Sequence, residues 1–252
     1  MSHPNRSSLS GRVAVVTGAS SGIGAATARA LAASGARVAL VARREDKLRA
    51  LAAAIRDAGG AADVHALDVT DRAAVEAAAH AIGPVDIVVN NAGIMLPNPI
   101  EALRADQWKQ QIDLNVVGLV NVIGAFTPAL VAAGARGVAD LVNVSSIAGK
   151  NVFPYFAVYS ATKAFVSHLS ITLRAELGGK GVRVCAIEPG IVSTELQGHV
   201  DFAGARDWLA GAKAQMEFLE PEDVASAIAF TVAAPKRVNL QQVTIMPTGQ
   251  AS

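Results

Sequence analysis

Apolar runs rich in valine alternate with segments of helical periodicity from one end of the chain to the other. Residues 12–17 (RVAVVT), 37–42 (RVALVA), 64–67, 85–90 (VDIVVN), 138–145, 182–187 and 242–246 are short and apolar, which predicts strands. Between them, residues 23–34, 45–58, 71–82, 106–133 and 155–177 predict helices, and a further helix starts at Pro221, a favoured first helical position. Asp71 stands at an N-cap, Gly35 stops the first helix, and Gly59 and Gly60 stop the second. Pro128 should kink the long helix at 106–133, because it lacks an N–H and its ring crowds the preceding turn. A polar and mixed stretch without clear periodicity runs from Gly190 to about Leu219. Strands apolar on both faces, in strict alternation with helices, imply an α/β fold with a parallel sheet covered by helices on both sides. There is no internal repeat, linker or shift of composition, so the pattern predicts a single domain over residues 10–252, with a flexible tail at 1–9.

Composition narrows the function classes. Hydrophobic residues make up 52% of the 252, much of it alanine, which is enough for a substantial core. The formal net charge of +1 comes from scattered basic residues, so no nucleic-acid or membrane-surface partner is expected. The single cysteine, Cys185, lies in an apolar run (VRVCAI) and reads as buried packing. The N-terminus has no apolar core of signal length, and no stretch reaches ~18 uninterrupted apolar residues. A cytoplasmic protein is expected. His65, His80, His168 and His199 show no metal-ligand spacing, so no metal is expected. Asp86 and Glu176 read as solvated or capping carboxylates.

Two stretches carry candidate chemistry. Residues 141–163 read LVNVSSIAGKNVFPYFAVYSATK and present a hydroxyl at Ser146, a phenol at Tyr159 and an ammonium at Lys163. Tyr159 and Lys163 are four residues apart, hence on one face of a helix. A phenol ordinarily titrates near 10, and a fixed positive charge beside it favours the phenolate. Lys163 is therefore expected to lower the Tyr159 pKa and make the phenol a usable proton donor and acceptor. Ser146, at a strand end, could hold a substrate oxygen against it. The other stretch, residues 17–24 (TGASSGIG), lies between the first strand and the first helix, where glycines permit close approach of a phosphate to backbone N–H groups. Its spacing is G-x-x-x-G-x-G, not the G-x-G-x-x-G dinucleotide fingerprint.

T-G-x-x-x-G-x-G, then N-N-A-G at residues 90–93, a Ser 13 residues before Y-x-x-x-K, and Pro189 with Gly190 after the sixth strand occur in one order. This pattern resembles the short-chain dehydrogenase/reductase family over residues 11–249. The resemblance implies a Rossmann-type doubly wound sheet of about seven strands, a nicotinamide dinucleotide, and hydride transfer to or from a carbonyl carbon. It puts Gly18, Ser20, Ser21, Ile23 and Gly24 around the pyrophosphate, Asp68 and Val69 at the adenine, and Asn90 and Gly93 beside the ribose, where they also brace the sheet. It makes Ser146, Tyr159 and Lys163 the catalytic set, with Lys163 also binding the nicotinamide ribose. Asn115 matches a helix Asn that helps hold a water for proton relay, and Pro189, Gly190 and Thr194 lie at the nicotinamide. Glu188 and Met246 depart from common family residues without removing a group the mechanism needs. The segment at about 190–219 corresponds to the substrate lid. Tyr155, Phe153 and Phe156 read as packing or pocket lining, and His199 lies near the expected substrate mouth. The family's two central helices build a dimer interface that commonly extends to a tetramer, so a homodimer or homotetramer is expected. NNAGIMLPNPIE and IEPGIVSTELQGH resemble an NADP-dependent branch that includes a clavulanate-forming aldehyde reductase and several hydroxy-acid dehydrogenases.

Cofactor choice is read from the end of the second strand. The NAD-type carboxylate position is Ala42, followed by Arg43 and Arg44, whose guanidinium groups suit a 2′-phosphate. Glu45 begins the following helix, and Ser21 stands where a basic residue is frequent in NADP-preferring members. NADP(H) is therefore expected, with Arg43 the main determinant and Arg44 secondary. The function expected is an NADP(H)-dependent oxidoreductase acting on a small-molecule carbonyl or alcohol. The alternative is a non-catalytic NADP(H)-binding sensor or scaffold of the same fold.

Overall fold

The computed structural model describes residues 9–251, so most of the expected tail lies outside the described residues. Leu9 does not belong to a tail. It is 2% exposed, and its N–H donates to Ser34 O at 2.8 Å.

Seven strands, β1 (Val13–Thr17), β2 (Arg37–Ala42), β3 (Ala61–Ala66), β4 (Ile87–Asn90), β5 (Ala139–Val144), β6 (Val182–Pro189) and β7 (Gln242–Ile245), form one parallel sheet in the order β3-β2-β1-β4-β5-β6-β7. The central strands β1, β2, β4, β5 and β6 are mostly apolar because both faces are covered, whereas the edge strands β3 and β7 are only partly buried. Within β1, Ala14 and Val16 pack into one core with Leu31, Leu40, Leu48, Val224 and Ile228. Val15 points the other way, into a second core with Val88, Leu130, Leu141 and Val166. That inversion at every residue is the period-2 geometry of a strand, serving two helical layers at once.

The first core packs α1 (Gly22–Ala33), α2 (Glu45–Asp57) and α8 (Pro221–Val232). The second packs α3 (Arg72–Ile82), α5 (Leu119–Arg136) and α6 (Ala157–Leu177). The expected helix at 106–133 is divided: α4 (Ala105–Ile112), a π-helical stretch (Asp113–Gly118), then α5. The irregularity lies there, and α5 runs through Pro128 unbroken. By length and composition, 105–136 could cross a membrane. It is instead a layer of the fold, with 39% of its most apolar window buried, including Val122, Phe126 and Leu130. The mixed stretch contains a helix the pattern did not predict, α7 (Ala203–Gln215).

At the amino ends of the strands, Asp140 pairs with Arg12 at 2.6 Å and with Arg183 at 2.8 Å. Arg183 also donates to Val232 O and Ala234 O at the end of α8, where a cation complements the helix dipole. The carboxyl ends of the strands are left for chemistry. Strand order reverses between β2 and β4 on either side of β1, the place where doubly wound sheets open a ligand crevice.

Candidate active site

A cleft of about 360 Å³ runs across those carboxyl ends. Its floor is the turn after β1. Gly18 takes φ +63°, and a methyl there would lie 2.8 Å from Asn91 Nδ2, so only glycine fits. Thr17 ties this turn to the loop after β4: its Oγ1 accepts from Asn91 N at 3.0 Å and Ala92 N at 3.1 Å. Ser21 precedes α1 with extended backbone, and no side chain caps that first turn. Compare α3, where Asp71 accepts from Ala74 N. The α1 amino end, with its partial positive charge and open N–H groups, therefore faces the cleft as an anion seat.

The chemical end is built by β5, β6 and α6. Ser146 leaves β5 with its Oγ accepting from Ala148 N at 3.1 Å and donating to Pro189 O at 3.5 Å, and its hydroxyl favours the Tyr159 phenolate. One turn along α6 from Tyr159, Lys163 extends its Nζ to Val144 O at 2.9 Å and lies 5.7 Å from the Tyr159 ring centre. Both side chains are buried. Burial pushes the Tyr159 pKa up to about 12, and the Ser146 hydrogen bond only partly offsets it. Burial likewise pushes Lys163 down to about 8. The expected lowering of the phenol's pKa is not what burial produces: desolvation of the phenolate outweighs the opposing Ser146 hydroxyl.

Behind this pair lies a polar brace. Ser145 Oγ donates to Lys163 O at 2.8 Å and meets Ser167 Oγ at 2.8 Å, and Ser167 donates to Glu188 at 2.9 Å. Glu188 is wholly buried and also accepts from Lys150 at 2.6 Å, Thr244 at 3.1 Å and Gln242 at 3.2 Å. A buried carboxylate is tolerated when paired and hydrogen-bonded in this way. Here it locks α6 to β5, β6 and β7 behind the catalytic face.

The family model described as short chain dehydrogenase matches residues 12–202. The chain belongs to the short-chain dehydrogenase/reductase family. It is accordingly an oxidoreductase of alcohol and carbonyl groups. It is 38% identical over 246 residues to sulfoacetaldehyde reductase 2 of Chromohalobacter salexigens, covering 95% of both chains. Glycine betaine reductase of Emericella nidulans is 42% identical over 244 residues, 95% of this chain, and the chain spans only 19% of that longer protein. Gluconate 5-dehydrogenase from Burkholderia cenocepacia, solved with NADP and tartrate, has a TM-score of 0.84 and 33% identity over 96% of each chain.

Most positions that the family pattern singles out do line the cleft: Gly18, Ser20, Ser21 and Ile23 on its floor, and Arg43, Arg44, Asp68 and Val69 at one end. Gly93, Ser146, Tyr159, Lys163, Pro189, Gly190 and Thr194 line the remainder. Three do not. Gly24 is a packing position, where a methyl would meet Gly18 O at 2.3 Å. Asn90 is buried and donates to Asn143 at 2.9 Å across the sheet, so it braces β4 and β5, and its neighbour Asn91 lines the cleft instead. Asn115 sits behind the wall. Its Nδ2 donates to Ile94 O at 2.9 Å and Thr162 Oγ1 at 3.1 Å, and its Oδ1 accepts from Ile94 N at 2.8 Å. Both amide hydrogens of Asn115 are thus engaged, and its side chain ties the π-helical stretch to α6 and to the loop after β4.

Three further differences concern the substrate end. Tyr155 is not in α6: it precedes the helix at φ +74° and packs on Phe202 at 4.9 Å between ring centres. Trp208 and Leu209 of α7, and Met95 after β4, line the cleft without having been singled out in the sequence. His199 lines it as expected for the substrate mouth. Cys185 is buried and its thiol pushed up to about 12, an inert packing residue.

Proposed function

We propose that the protein is an NADP(H)-dependent oxidoreductase that interconverts a carbonyl and its alcohol through Ser146, Tyr159 and Lys163. The observation that carries this is the Ser146 hydroxyl and the buried Tyr159 phenol together on the wall of one cleft, with the buried Lys163 ammonium one turn along α6. The uncapped amino end of α1 and the glycine turn would hold the pyrophosphate of the dinucleotide, and Asp68 and Val69 its adenosine half. When bound, the cofactor supplies or accepts the hydride. In the reducing direction Tyr159 passes its proton to the substrate oxygen while Ser146 donates a hydrogen bond to the same atom. Lys163 reprotonates the phenol by way of solvent and the main chain near Asn115, and its remaining N–H groups are directed to the cofactor ribose.

Arg43 and Arg44 divide the 2′-phosphate selection. Arg44 spans the glycine turn, bonded to Ser20 at 3.0 Å, Ser21 at 2.7 Å and Glu195 at 2.9 Å. Arg43 is 71% exposed and meets Asp68 only at 3.7 Å, which leaves it ready to receive a phosphate. Ala42, the last residue of β2, offers no repelling carboxylate. NADP in the solved gluconate dehydrogenase agrees with this choice.

The same chain is proposed to assemble as a homodimer or homotetramer. Ile112, Val117, Val120, Phe165 and Ile171 are exposed apolar side chains on α4, the π-helical run, α5 and α6, a surface suited to a second copy. The test of the function is turnover of a panel of aldehydes and ketones with NADPH and with NADH, followed by nicotinamide absorbance. Faster turnover with NADPH is expected. Tight binding of the cofactor with no turnover of any carbonyl would instead favour the sensor reading.

A further inference from the structure

The substrate end of the cleft has a wall whose composition selects a ligand. Phe153, Phe156 and Trp208 form a triangle of rings: Phe153 to Phe156 at 6.2 Å, Phe153 to Trp208 at 5.9 Å and Phe156 to Trp208 at 5.8 Å. All three contacts are edge-on, and Phe156 also meets the ring of the catalytic Tyr159 at 6.3 Å. Met95, Leu196 and Leu209 complete the lining around them. Charge is as informative as apolarity here. Beyond Tyr159 and Lys163, the ionisable side chains on the cleft wall are Arg43, Arg44, Asp68, Glu195 and His199. Arg43 meets Asp68 at 3.7 Å and Arg44 meets Glu195 at 2.9 Å, all four at the end away from the rings. Among the described residues, His199 alone is left to meet a charge on the substrate. No Arg or Lys lines the aromatic wall.

Resting on the carbonyl-reducing reading of this cleft, we propose that the substrate is an uncharged carbonyl compound bearing an aromatic or alicyclic ring, seated against Phe153, Phe156 and Trp208. Edge-on ring geometry leaves faces and edges for a further ring to continue the cluster. A carboxylate or sulfonate placed there would lose water with no Arg or Lys on the aromatic wall and only the His199 imidazole to meet it, which is costly in an apolar pocket. Sulfoacetaldehyde, which names one relative's reaction, carries such a permanent charge, so this chain departs from that relative in substrate. In the reduction, a C–H bond forms at the carbonyl carbon with hydride from the reduced nicotinamide, the C=O π pair moves to oxygen, and that oxygen takes the Tyr159 proton. The nicotinamide is oxidised, and one solvent proton restores the phenol.

The test compares benzaldehyde and cyclohexanecarbaldehyde with sulfoacetaldehyde and glyoxylate, using the full chain and NADPH. A kcat/KM at least ~100-fold higher for the ring-bearing pair is expected, the scale at which an uncompensated polar group is rejected. Equal or better turnover of the anions overturns the proposal. Two variants locate the effect: Trp208→Ala should lower kcat/KM for benzaldehyde at least ~10-fold through KM, and Trp208→Arg should raise that for sulfoacetaldehyde. If neither moves the ratio, the wall is not the specificity element. Turnover of none of the four would count against the carbonyl-reducing reading itself. Calorimetric titration with benzamide then decides the pocket separately: saturable binding that Trp208→Ala and Phe153→Ala weaken supports it, and no binding overturns it.

Discussion

Tyr159 and Lys163 show how burial and charge compete at a single side chain. Their spacing on α6 was legible in the sequence, because four residues always bring side chains to one helix face. The direction of the phenol's pKa was not, because it depends on how much water the fold removes, and spacing says nothing of that. With the phenol pushed to about 12 it holds its proton throughout the working range, so the proton is present but transfer must be assisted by hydrogen bonding at the substrate oxygen. Tyr159→Phe should lower kcat at least ~100-fold, the size of a general-acid contribution, with NADPH affinity kept. Near-normal turnover in this variant would remove Tyr159 from the mechanism. Lys163 makes a second prediction. Its folded pKa of about 8 lies below the ordinary 10.5, so between those values the unfolded chain holds more protons than the folded one. Stability contributed at this site therefore rises with pH across that window. Relative to Lys163→Met, the wild type should gain about 1 kcal/mol per pH unit between pH ~8 and ~10, read by urea unfolding. A difference that stays flat over that range would show Lys163 to be better solvated than its burial implies.

At the scale of elements, the central strands were easy to place because they are apolar on both faces, whereas the edge strand β3, expected at 64–67, lies at Ala61–Ala66 with Asp63 and His65 in it and one face only partly covered. The helices differ in how much the sequence could show. The residues of α7 are rich in alanine with scattered charges, and only Ala205 among them is buried, so no apolar stripe marks it. The break at Asp113–Gly118 is equally silent, since the apolar residues of 106–133 continue evenly across it. Asn90 and Asn91 stand side by side, and sheet register alone decides that Asn90 faces Asn143 while Asn91 reaches the cleft. Within α6 the apolar residues Phe165 and Leu169 face differently. Phe165 is 40% exposed, whereas Leu169 packs against the second core. Phe165→Glu should therefore shift the oligomer toward monomer in sedimentation while keeping the fold. Leu169→Glu should instead lower the Tm, because it puts a carboxylate against the sheet. An unchanged sedimentation profile for Phe165→Glu would place the subunit interface elsewhere.

Across the whole molecule, the crevice joins two ends that are far apart in sequence. Arg44 follows β2 and Glu195 opens the segment after β6, and their ion pair crosses the mouth of the cleft at the adenosine end. Exposed, this pair contributes little to stability by itself. Its consequence is for the cofactor: Arg44 is already engaged by Glu195, Ser20 and Ser21, so a 2′-phosphate must compete for it, while Arg43 has only a distant carboxylate to leave. The basic pair after β2 was legible in the sequence. The division of labour was not, because Glu195 comes from 151 residues away. Arg43→Ala should raise KM for NADPH about 10-fold or more and leave KM for NADH nearly unchanged, since a charge-assisted pair to phosphate is lost and the ribose contacts remain. Glu195→Gln should act in the opposite sense and lower KM for NADPH by freeing the Arg44 guanidinium. Equal effects of Arg43→Ala on both cofactors, or a wild type that turns over faster with NADH, would overturn the assignment of the 2′-phosphate to this corner of the cleft.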